Sequence, residues 1–92
     1  MLENKVYRVK PTIALQKISD NCFRAYDIVD GDVFELNETS YRMLLLLSQG
    51  NTPQGVVQAF LSEYAVDRDE LERDVEGLIA QALREGIIEE HV

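Results

Sequence analysis

Hydrophobic and polar positions change their spacing once along this chain, from alternation to a repeat of about 3.6 residues, near Asn37. Ahead of that point two runs read as strands. Thr12-Ile13-Ala14-Leu15-Gln16-Lys17-Ile18 is one, opened by Pro11, and Cys22 to Val29 (CFRAYDIV) is the other. Both are rich in β-branched or aromatic residues, and Ser19-Asp20-Asn21 between them is a turn cluster. Asp30-Gly31 then separates the second run from a short third one, Asp32-Val33-Phe34-Glu35-Leu36. Asp-Gly between strand-like runs signals a hairpin, because glycine accepts the positive φ of a tight turn. A two-residue loop would set Val29 opposite Asp32 and Ile28 opposite Val33. Phe23, Ala25, Phe34 and Leu36 would then share the core face, with Arg24, Tyr26, Val33 and Glu35 behind them. Asp27 falls on the core face at the turn end, within reach of water.

Three helices follow. Asn37 or Thr39 can cap the first, and Tyr41 to Gln49 is apolar almost all round, which suits a central helix touched from several sides. Gly50 ends it. Thr52-Pro53 starts the second, with Thr as N-cap and Pro in the first turn; Val56, Val57, Phe60, Leu61 and Tyr64 form its apolar stripe. Asp67 opens the third, with Glu70 three residues on in the manner of a capping box. Its buried stripe is Leu71, Val75, Leu78, Ile79 and Ala82, and Gly86 closes it. Ile87-Ile88 is a short apolar tail that can fold back as a wing or dock on the core.

Strands followed by helices indicate an α+β fold: an N-terminal three-stranded antiparallel sheet packed on a three-helix winged helix-turn-helix-like bundle. Residues 1–10 are expected as a loosely ordered lead-in and 11–92 as a single domain.

Charge narrows the partners. The 92 residues carry 17 acids against 9 bases, a formal net charge of −8. Nucleic-acid affinity comes from clustered Lys and Arg, and anionic membranes attract the same residues, so neither is an expected partner. Between Asp67 and Glu85 seven acids face three arginines, which opposes use of the third helix in a DNA groove. A basic or mixed-charge peptide, or a basic patch on a protein, fits the charge. The one cysteine, Cys22, excludes an internal disulfide, and a cytoplasmic home follows as the simpler expectation. Met1 to Lys10 does not resemble a signal peptide, and the longest apolar run, Met43 to Leu47, is far too short to span a membrane.

Little here suits catalysis, and no enzyme activity, metal or cofactor is expected. His91 stands near the end of the sequence, and a lone strand cysteine such as Cys22 is usually a small packed hydrophobe. One His and one Cys cannot fill a zinc site. Asp67 to Glu72 begins like a calcium loop but has Glu where the central glycine belongs. The carboxylates of the third helix read as a solvated face favoured by the helix dipole. An interaction surface remains: the strand Asp32–Leu36 leads directly into the first helix and can lie at a sheet edge, where an extended peptide could pair with it. It could equally be a short edge that the fold tolerates. Composition does not choose between the two.

Motif order adds a resemblance. Gly31 to Thr39 resembles the "G-x-x-x-x-L-N-x-T" signature of the PqqD-like family, also called RiPP recognition elements. Leu47-Ser48-Gln49-Gly50-Asn51-Thr52-Pro53 looks like its "L-x-x-G-x-T" junction. Phe60 to Tyr64, followed by Asp74-Val75 and Leu78, looks like its "L-x-x-x-Y … D-V … L" ending, and Leu83 to Ile88 is similar to its closing "L-x-x-G" with two hydrophobics. The resemblance covers roughly residues 12 to 88. It implies a peptide chaperone, free-standing at this length, that binds the leader of a ribosomally made precursor peptide and presents it to a separate modifying enzyme. That enzyme would be a radical-SAM protein or a cyclase–protease pair. The leader would add to the third strand beside the third helix, with Val33, Phe34, Glu35 and Leu36 on one wall and Leu71, Asp74, Val75 and Leu78 on the other. The alternative is a winged-helix regulator or an interaction adaptor that binds no leader. The chain departs from the quinone-cofactor members, which carry "PEG" before "LN" and a Trp near the end. It departs from the lasso-peptide members, which often show Tyr-Trp where Phe34-Glu35 stands. The pathway and the oligomeric state stay open.

Overall fold

The computed structural model describes residues 5–91. Its elements run β1 (Val6–Val9), β2 (Ile13–Ser19), β3 (Cys22–Asp27), β4 (Val33–Leu36), α1 (Glu38–Ser48), α2 (Pro53–Glu63), α3 (Arg68–Arg84) and β5 (Ile88–His91). The fold is the expected α+β arrangement. Strands β2-β3-β4 form an antiparallel sheet in that order, and β1 and β5 form a second, two-stranded one.

The hairpin between β3 and β4 keeps the expected faces but not the expected loop. Phe23 stands opposite Leu36, Ala25 opposite Phe34 and Tyr26 opposite Val33. The pairing is two residues out from a two-residue Asp-Gly loop. A shift by two leaves every side chain on its face, so Phe23, Ala25, Phe34 and Leu36 still line up together. The cause is Asp27. Its side chain accepts from the Val29 and Asp30 amides at 2.9 and 3.0 Å, and its carbonyl accepts from Gly31 N at 2.8 Å. This local network ends β3 early and widens the turn. Gly31 supplies the positive φ (79°).

Each helix begins on a side-chain cap. Asn37, not Thr39, caps α1 by accepting from Ser40 N at 2.7 Å; Thr52 caps α2 through Gly55 N, and Asp67 caps α3 through Glu70 N. Helix α1 is the hub: Met43, Leu44 and Leu47 are buried, and strands of both sheets pack around it. Val56, Val57 and Phe60 of α2 and Leu71, Val75, Ile79 and Ala82 of α3 complete the core. Tyr64, expected in the α2 stripe, lies past the helix end and is exposed, its ring 5.5 Å from that of Phe60.

Helix α3 closes with Gly86 (φ 75°), whose amide bonds Leu83 O while Ile87 N bonds Ala82 O. This is a Schellman turn, with Ile87 and Ala82 as its buried apolar pair. The turn sends the chain back so that Ile88–His91 pairs with Val6–Val9. The expectation of a loosely ordered 1–10 lead-in is corrected here for residues 6–9, while residues 1–4 lie outside the described ones. Burial of Tyr7, Ile87 and Ile88, with ion pairs Arg8–Glu89 and Lys5–Glu90, holds the ribbon on α1 and α3. Cys22 also differs from expectation: it is exposed, at the first position of β3. Among the described residues no helix is long and apolar enough to cross a membrane.

Candidate functional site

Strand β4 is an edge strand, with β3 on one side and no strand of the described residues on the other. The direction of its free groups follows from the ladder. Asp27 N donates to Asp32 O at 2.8 Å, so those two residues form a hydrogen-bonded pair. In an antiparallel ladder such pairs recur at every second residue, so Phe34 and Leu36 also turn their backbone groups toward β3. Val33 and Glu35 therefore point their N–H and C=O outward. The edge offers two donors and two acceptors in the spacing of a β-ladder.

Beside this edge runs a groove walled by α3. Its narrower part, a cavity of about 340 Å³, lies between Phe34, Glu35 and Leu36 on one side and Leu78, Gln81 and Glu85 on the other. Asn37 and Ser40 line it at the start of α1. Farther along α3 a wider cavity of about 680 Å³ opens against Glu38, Tyr64, Val66, Glu70, Leu71 and Asp74. Both cavities share one face of α3, met in the order Glu70, Asp74, Leu78, Gln81, Glu85 at steps of three or four residues.

Six of the eight residues expected at the site line one of these cavities. Phe34, Glu35, Leu36 and Leu78 line the narrow one; Leu71 and Asp74 line the wide one. Val75 does not. It is 1% exposed and belongs to the core. A helix advances about 100° per residue, which puts Val75 about 40° to the core side of Leu71 and Asp74 about 60° to the other side. Val33 lines neither cavity; its side chain projects from the sheet face opposite Phe34 and is half exposed. Only its backbone faces a guest. Gln81 and Glu85 lie outside the expected set, although continuing the Leu71–Asp74–Leu78 face by one helical turn reaches Gln81 and by two reaches Glu85. Among the described residues no group of His, Cys, Asp and Glu could hold a metal ion.

This arrangement of an open edge with a helix beside it was compared with known proteins. A family model described as coenzyme PQQ synthesis protein D (PqqD) matches residues 23–88. The chain belongs to the PqqD family. That span takes in β3, β4, all three helices and the start of β5, so the PqqD match contains both walls of the groove. Among solved structures, a lasso peptide synthetase B1 complexed with the leader peptide is 28% identical, with TM-score 0.79, covering 91% of this chain and 98% of that one. TbiB1 in complex with the TbiA(beta) leader peptide is 25% identical, with TM-score 0.80, covering 92% of this chain and 98% of that one. A search of curated proteins gave no match.

Proposed function

We propose that this PqqD-family chain captures the leader segment of a ribosomally made precursor peptide by strand addition to β4 and presents it to a separate modifying enzyme. The observation that carries the proposal is the pair of outward-facing peptide groups at Val33 and Glu35, set beside a groove along α3. Main-chain bonds to such an edge supply affinity with little dependence on sequence, and the α3 wall supplies discrimination. Two solved structures with closely similar folds hold leader peptides, which supports the same use of this fold here. The role is one of binding and positioning. The modifying enzyme would be a radical-SAM protein or a cyclase–protease pair, and the setting the cytoplasm, where the Cys22 thiol stays reduced. A DNA-binding regulator is not favoured, since the exposed face of α3 is strongly acidic.

Amide hydrogen exchange tests this directly. In the free protein the Val33 and Glu35 amides should exchange fast while Phe34, bonded to β3, is protected. Adding a leader peptide that the chain binds should protect Val33 and Glu35. Protection that appears elsewhere, with these two unchanged, sinks the proposal.

A further inference from the structure

The wide cavity at the α1–α3 end of the groove has a distinct chemistry. Phe60 and Leu71 form a buried apolar floor, and Tyr64 and Val66 leave apolar surface uncovered at 40% and 48% exposure. Around that floor stand the carboxylates of Glu38, Asp67, Glu70 and Asp74. Among the described residues the one cation lining the cavity is Arg42, engaged at 3.2 Å with Glu38 and at 3.6 Å with Glu63. Glu70 and Asp74 have no basic group in ion-pair range among the described residues. An apolar floor under an acidic rim suits a side chain with an apolar stem and a cationic head, and an arginine can also lie over the Tyr64 ring.

The cavity continues the groove beside β4. Strand β4 runs toward it, since its last residue is followed within two positions by Glu38 on the cavity wall. All strand pairs among the described residues are antiparallel, the slightly more stable pairing per residue. A guest pairing with β4 in that sense would bring its N-terminal side to the wide cavity.

We infer that this cavity receives a lysine or arginine of the guest peptide, placed on the N-terminal side of the segment that pairs with β4. The inference rests on the strand-capture reading above and adds a charge rule to it. Guests with acidic residues at that position are disfavoured by the carboxylates of Glu70 and Asp74.

The test pans a random-peptide display library on the full chain, on Val33→Pro and on the double variant Glu70→Gln/Asp74→Asn. Both residues of the double variant are exposed on a helix, and circular dichroism confirms its fold. Clones that bind the parent chain several-fold more tightly than Val33→Pro should carry Lys or Arg ahead of an alternating strand-like segment. Synthesised as free peptides, they should bind the double variant about fivefold more weakly at low salt, with the difference fading at high salt. Clones sensitive to Val33→Pro that show no basic preference, or that ignore the double variant, overturn the charge rule and leave strand capture standing. Clones that bind Val33→Pro as well as the parent, or no enriched clones, overturn strand capture and the charge rule with it.

Discussion

Replacing Val33 with proline separates edge pairing from side-chain contact. Val33 directs its N–H away from β3, so proline removes a guest-facing donor without removing a ladder bond inside the sheet. A hydrogen bond of this kind contributes about 1 kcal/mol net, and an unpaired partner in a dry site costs about 1–3 kcal/mol. Val33 is half exposed, so water can reach the guest carbonyl left behind and the lower figure applies. Affinity for the precursor leader should fall about fivefold, since 1.4 kcal/mol is a factor of about ten. Glu35→Pro removes the second outward donor, and the double variant should lose about thirtyfold if the effects add. Fluorescence anisotropy with a labelled leader measures these changes, with circular dichroism as the folding control. Val33→Ala keeps the N–H and removes a side chain that lines neither cavity, so it should bind almost as the parent does. The reasoning is refuted if folded Val33→Pro binds unchanged, or if Val33→Ala loses as much as Val33→Pro.

Two further outcomes follow from the fold. Gly86→Ala places a Cβ at φ 75°, where the nearest foreign atom is the mobile Lys10 Nζ at 3.5 Å, so the cost is backbone strain and not collision. Urea unfolding should show a loss of about 1 kcal/mol or slightly more; an unchanged midpoint contradicts the Schellman assignment. The exposed Cys22 thiol should react completely with Ellman's reagent in native buffer, and a reaction that needs denaturant would place it inside the fold.

The three central strands, the three helices and their caps were legible because each rests on neighbours in the sequence. Asn37, Thr52 and Asp67 act on amides three residues away, and the hairpin faces survive any even error in register. What escaped depends on partners that local pattern does not reveal. Val6–Val9 is too short to announce a strand, and its partner lies at the far end of the chain. The hairpin loop lengthened because Asp27 spends its carboxylate on the turn instead of on solvent. The "D-V" motif presents Asp74-Val75 as a unit, whereas adjacent helical residues face different ways and Val75 turns into the core. The wide cavity is built by α1, α2, α3 and the connection between α2 and α3, so no single stretch of sequence displays it.

The β1–β5 ribbon has a consequence for how this protein is born. It joins residues such as Arg8 and Glu89, which stand 81 positions apart. Closing a loop of that length costs about 4 kcal/mol in chain entropy, which burial of Tyr7, Ile87 and Ile88 helps to offset. During synthesis the first strand must therefore wait for the last one to leave the exit tunnel before the ribbon can form.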